Sequence, residues 1–127
     1  MENRAKNICV VDDDRKFCTL IASALGAAGY HATMAFTGEE ALAIYDRDPP
    51  DLILLDLAMP GINGFEVAAT VREREVNNEH HTIIIIMTAH ARSFSVSVGF
   101  HSGIDDYLIK PLTAQAVLAY VNQAFGD

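Results

Sequence analysis

Four short apolar runs in this 127-residue chain each lead into a residue that can do chemistry. Asp12-Asp13-Asp14 follow Ile8-Cys9-Val10-Val11, and Asp56 follows Leu52-Ile53-Leu54-Leu55. Thr88 follows Ile83-Ile84-Ile85-Ile86-Met87, and Lys110, just ahead of Pro111, follows Tyr107-Leu108-Ile109. Each residue alone has a bland explanation. An Asp after a strand is often a helix N-cap, a role that suits Asp14 better than Asp12 or Asp13. A Lys before Pro is often a solvated turn residue. Taken together, carboxylates, a hydroxyl and an ammonium at the ends of separate runs point to a site. Two carboxylates about 5 Å apart repel by roughly 3 kcal/mol at an effective dielectric near 20, so such a cluster needs a cation. All-oxygen donors with open positions suit Mg²⁺. Lys110 adds a fixed positive charge that can pair with Asp56. An Asp held between a metal and a lysine can attack phosphorus, with the cations and Thr88 stabilising the transferring oxygens.

The elements that must position these groups are legible as alternating strand and helix signals. Strands are predicted at Ile8–Val11, His31–Phe36, Leu52–Leu55, Ile83–Met87 and Tyr107–Ile109. The third and fourth runs lack polar alternation, as expected of strands covered on both faces. Helices are predicted from Arg15 to about Ala28, from a Thr37-Gly38-Glu39-Glu40 capping box to about Arg47, from Gly64 after an Asn63 cap to about Val76, and from Thr113 to Phe125. Gly29 is placed to end the first helix, and Asp48-Pro49-Pro50 stops the second. Over 91–102, Phe94-Ser95-Val96-Ser97-Val98 alternates like a strand, but the βα rhythm favours a marginal helix there. Five βα units imply an α/β fold, an open parallel sheet with helices on both faces. Ligands of such sheets bind beyond the carboxyl ends of the strands, where the candidate residues lie.

Composition narrows the function. The length is that of one domain, read as residues 1–127. Seventeen Asp and Glu against nine Lys and Arg give a formal charge of −8, which argues against nucleic-acid or anionic-lipid binding. No apolar run approaches a membrane span and no signal-peptide core follows Met1–Lys6. Cys9 and Cys18 form no CxxC pair and read as buried reduced thiols of a cytoplasmic protein. His80-His81 read as solvated loop.

Val10-Val11-Asp12-Asp13-Asp14, Leu54-Leu55-Asp56-Leu57-Ala58-Met59-Pro60-Gly61, Met87-Thr88-Ala89 and Asp105-Asp106-Tyr107-Leu108-Ile109-Lys110-Pro111 resemble the receiver domain of two-component response regulators. The resemblance runs from about Lys6 to Phe125. It implies a flavodoxin-like (βα)5 three-layer sandwich with strand order 2-1-3-4-5. It implies Asp56 as phosphoacceptor from a histidine kinase or phosphotransfer protein, and Mg²⁺ held by Asp12, Asp13, Asp56 and the Ala58 carbonyl. Lys110 would contact the phosphoryl group, Thr88 and Tyr107 would form the switch pair, and Pro111 would follow a cis peptide. The chain would catalyse its own phosphorylation and slow dephosphorylation, without an external substrate. The first helix would be the kinase-docking face, and the surface of helix 91–102, the last strand and the last helix the output face. The signal would pass to a downstream protein or to an output domain of a longer chain.

Ala58 departs from a pattern in which a polar side chain positions a hydrolytic water, so slow hydrolysis is expected; His90 is a partial substitute. The stretch Asn77–His81 is slightly long for the family and lies far from the strand ends. Three other readings remain open. A haloacid-dehalogenase-type phosphatase wants a second Asp where Ala58 stands. A flavodoxin wants a phosphate-cradling loop where Asp12-Asp13-Asp14 stand. A receiver-like module could also signal by contact without phosphorylation.

Overall fold

A computed structural model describes residues 5–77, 79–89 and 103–126. The expected helix over 91–102 and the expected role of His90 lie outside the described residues. The order is β1 (Asn7–Val11), α1 (Arg15–Ala27), β2 (His31–Ala35), α2 (Gly38–Arg47), β3 (Leu52–Asp56), α3 (Gly64–Glu75), β4 (Ile83–Thr88), β5 (Asp106–Ile109) and α4 (Ala114–Ala124). The strands form one parallel sheet in the order β2-β1-β3-β4-β5, as the resemblance implied.

Sequence explains which strands are central. β1, β3 and β4 are runs of large apolar side chains buried almost throughout, whereas β2 and β5 mix exposed and partly buried positions and sit at the edges. Period-two alternation sorts the central side chains between two cores. Cys9, Val11, Ile53, Leu55, Ile84 and Ile86 face one core, closed by Ala41 and Tyr45 of α2 and Val67, Ala68 and Val71 of α3. Ile8, Val10, Leu52, Leu54, Ile85 and Met87 face the other, closed by Cys18, Ile21 and Leu25 of α1 and Val117 and Val121 of α4.

Each helix among the described residues starts at a side-chain cap that takes one of its unpaired N–H groups. Asp14 accepts from Phe17, Thr37 from Glu40, Asn63 from Glu66 and Thr113 from Ala116. Asn63 and Glu66 complete a reciprocal capping box. At α2 the expected box differs: Glu40 reaches past Thr37 and accepts from the N–H of Phe36 instead, at 2.7 Å. Gly29, with φ of 100°, supplies the left-handed turn after α1.

At the amino ends of the strands, Arg72 of α3 acts as a clasp. Its guanidinium donates to the carbonyls of Gly103 and Thr82 and to the carboxylates of Glu75 and Asp105. Asp105 also accepts from the N–H of Ile84, and Glu75 from that of Thr82, so α3 is tied to the starts of β4 and β5. The histidine pair proves less uniform than expected. His81 is exposed, but the His80 Nε2 lies 3.0 Å from the Pro50 carbonyl and 3.5 Å from Asp51.

Candidate functional site

The carboxyl ends of β1 and β3 are neighbours in the sheet, with Val11 in register with Leu55. The next residue along each strand is an aspartate, so Asp12 and Asp56 are brought side by side by backbone pairing alone. Asp13 joins them. One carboxylate oxygen from each of Asp12, Asp13 and Asp56 lies within 4.8 Å of the others. Asp12 is 1 % exposed and Asp56 7 %, whereas Asp13 is open to solvent.

Lys110 enters from the other side. Its backbone N–H donates to the carbonyl of Thr88 at 2.8 Å, which fixes the chain leaving β5 against the end of β4. The Lys110–Pro111 peptide is cis, as the resemblance implied. The side chain then reaches back to the aspartates and pairs with Asp56, as expected, but more closely with Asp12. Lys110 Nζ donates to Asp12 at 2.7 Å and stands 3.5 Å from Asp56. Asp12 is the more buried anion and has the greater need of a countercharge. Its other oxygen accepts from the N–H of Asp14, so Asp12 is held at both ends.

The electrostatics follow from this arrangement. Burial and the neighbouring Asp12 charge push the Asp56 carboxyl up to about 6, a rise only partly offset by Lys110. Partial burial works against the Lys110 charge, yet the Asp12 and Asp56 carboxylates outweigh it and hold the ammonium above its ordinary value. The cluster is thus short of positive charge, with Asp56 the least settled anion. Three converging carboxylates with no nitrogen or sulfur ligand among the residues identified form a donor set that fits a hard divalent cation such as Mg²⁺.

The remaining candidates lie on β4, on β5 and in the loop after β3. Thr88 is buried at the end of β4, one position beyond the Met87 that pairs with Asp56. Ala58 is exposed in the loop after β3. Tyr107 lies within β5 opposite Ile86 and packs against the core under α2 and α3. The thiols stay protonated, burial pushing Cys9 up to about 11 and Cys18 up to about 12, and the Cys18 thiol donates to the Asp12 backbone carbonyl at 3.2 Å. One neighbour escaped the sequence reading. Phe17, in the first turn of α1, has its ring centroid 5.0 Å from Lys110 Nζ. Its place in the first turn after Asp14 is the signal that could have found it.

An open parallel sheet in the order 2-1-3-4-5, with an acidic cluster and a lysine at its carboxyl edge, is the arrangement that the sequence resemblance implied for a receiver domain. Residues 8–122 match the family model of the response regulator receiver domain, and the chain belongs to that family. It is 36 % identical over 116 residues to the alkaline phosphatase synthesis transcriptional regulatory protein PhoP of Bacillus subtilis, covering 91 % of this chain and 47 % of that protein. It is 36 % identical over 114 residues to the transcriptional regulatory protein CpxR of Klebsiella pneumoniae, covering 90 % and 47 %. The chain therefore spans about half the length of the curated relatives it matches. Among solved structures it superposes on the chemotaxis response regulator CheY4 of Vibrio cholerae with a TM-score of 0.83 and 26 % identity, covering 94 % and 98 %. No helix among the described residues is long and apolar enough to cross a membrane.

Proposed function

We propose that the chain is a phosphorylation-dependent signalling switch in which Asp56 accepts a phosphoryl group from a phosphohistidine of a histidine kinase or phosphotransfer protein. The observation that carries this reading is the placement of Asp56 beside Asp12, Asp13 and Lys110 at the end of β3. In the transfer, an Asp56 oxygen attacks phosphorus in line with the departing imidazole nitrogen. The P–O bond forms as the P–N bond breaks, and the nitrogen keeps the electron pair and takes a proton. A divalent cation held by Asp12, Asp13, Asp56 and the Ala58 carbonyl would supply charge neutralisation on the phosphoryl oxygens. Lys110 exchanges part of its bond to Asp12 for one to the phosphoryl group, and the Thr88 hydroxyl donates to another of its oxygens. Thr88 moving toward the phosphoryl group and Tyr107 turning inward carry the change to the outer surface.

Ala58 offers no side-chain acceptor to orient a water, so the acyl phosphate is long-lived unless a phosphatase intervenes. Ala58→Asp hastens dephosphorylation on this reading, and equal rates refute that part. The signal passes to a downstream protein or to an output domain in a longer chain; kinship with transcriptional regulators twice the length supports this. The net charge of −8 supports protein contact in place of direct nucleic-acid binding. Buried, free Cys9 and Cys18 suit the reducing cytoplasm.

The test is incubation with acetyl phosphate and Mg²⁺, read by intact-protein mass and by NMR. Wild type gains one phosphoryl group and Asp56→Asn gains none. Labelling that persists in Asp56→Asn, or that needs no divalent cation, overturns the assignment.

A further inference from the structure

The lysine at this site has three partners among the described residues, and one of them carries no charge. Lys110 Nζ is 2.7 Å from Asp12, 3.5 Å from Asp56 and 5.0 Å from the centroid of the Phe17 ring. Two other cations also lie over rings, Lys6 over Phe125 and Arg15 over Phe36, but neither is an acid-cluster residue. Two contacts hold Phe17 in place. Its backbone N–H is held by the Asp14 cap at 3.1 Å, and its ring packs against the core shared by α1 and α4. It is thus a stiff wall on the first turn of α1, beside a side chain with four rotatable bonds.

We propose that Phe17 is a positioning residue for Lys110: its ring face holds the ammonium over the Asp12–Asp56 gap when the carboxylates are drawn to other partners. The proposal rests on the phosphoacceptor reading of Asp56. Its physical basis is the ring quadrupole, which attracts a cation within about 6 Å without competing for its protons. Asp12 and Asp56 both hold Lys110 by charge, and both are candidate ligands of a divalent cation. A carboxylate that turns to such a cation loosens its hold on the lysine, whereas an aromatic face keeps its hold. Lysine loses up to about 2 kcal/mol of side-chain entropy on being fixed, so a pre-set wall matters most when the ion pairs weaken. Leucine at position 17 fills much of the same space without a quadrupole, and tyrosine keeps one.

The test has one readout on the resting protein and one on the reaction. In protein carrying labelled lysine, the Lys110 ε-methylene protons are shifted upfield by the ring current in wild type and in Phe17→Tyr, and return toward the ordinary lysine position in Phe17→Leu. With acetyl phosphate and Mg²⁺, Phe17→Leu is phosphorylated roughly fivefold more slowly and Phe17→Tyr at close to the wild-type rate. An unshifted methylene in wild type overturns the proposal. So does a rate in Phe17→Leu equal to wild type while Lys110→Ala is slow, or an equal loss in the Leu and Tyr variants. Persistent labelling of Asp56→Asn instead brings down the phosphoacceptor reading, and the methylene shift still judges the ring contact by itself.

Discussion

Gly64, the first residue of α3, lies so near the end of β3 that a Cβ added to it would stand 2.7 Å from the carbonyl oxygen of Asp56. The same Cβ would meet the Leu57 Cα at 3.0 Å, so the obstruction is backbone on both counts. The strand that delivers Asp56 and the helix that follows it are therefore spaced by the absence of a side chain. Gly64→Ala must push that strand end or the helix aside. The expected cost is about 2 kcal/mol, roughly a 5–10 °C fall in Tm, together with weaker Mg²⁺ binding. Gly38→Ala is the control. Its Cβ would come within 2.5–2.9 Å of the Ile62 and Val67 side chains and not of the Asp56 backbone, so stability falls while Mg²⁺ binding is retained. Thermal melts and calorimetric Mg²⁺ titration of both variants check this.

Asp56 makes stability depend on pH in a direction unusual for a carboxylate. Its carboxyl is raised from the ordinary 3.8 to about 6, so the folded chain binds this proton more tightly than the unfolded chain. That contribution is fully present below pH 4 and is lost as pH rises through 6. Asp56→Asn removes it. At pH 7 the variant is expected to be more stable than wild type by about 2 kcal/mol, with the difference vanishing near pH 4. Urea melts across that range read the crossing, and a constant difference refutes it.

Removing the lysine has the opposite effect. Lys110→Ala leaves Asp12, 1 % exposed, without its cation, and deepens the repulsion among the three aspartates. The expected loss at pH 7 is about 2–3 kcal/mol. Mg²⁺ restores part of it, about 1.4 kcal/mol when present at tenfold its Kd. Melts of the variant and of wild type at one Mg²⁺ concentration separate this from simple loss of packing: relieved repulsion gives the variant the larger rise in Tm, and lost packing gives no larger rise than in wild type.

Arg72 supports a different prediction, at the other end of the strands. Arg72→Met keeps the aliphatic stem but abandons Glu75, Asp105 and the carbonyls of Thr82 and Gly103. A destabilisation of about 2–3 kcal/mol is expected, with phosphorylation of Asp56 by acetyl phosphate unchanged. A slowed reaction would mean that the clasp reaches the site.

The strands, the helix caps and the acidic cluster were legible because each depends on near neighbours in sequence or on register. Val11 opposite Leu55 puts Asp12 beside Asp56 with no further information. Asn63 and Glu66 announce α3 at a fixed spacing. What sequence could not show were choices among partners far apart in the chain. Lys110 favours Asp12 over Asp56 because of burial, which only packing decides. Arg72 reaches Asp105 across 33 residues, and nothing local to either marks the pair. His80 read as solvated because its acceptor, the Pro50 carbonyl, belongs to another loop.

The alternation of the central strands has an outcome for substitution patterns. Ile53 and Leu54 are adjacent in the chain, yet they occupy opposite compartments that the sheet keeps apart. Truncating both should cost nearly the sum of the single losses, whereas Ile53 paired with Val67 on its own side should fall short of or exceed that sum. The floor beneath α2 and α3 can accordingly be rebuilt residue by residue while the room beneath α1 and α4, which steadies Phe17, keeps its shape.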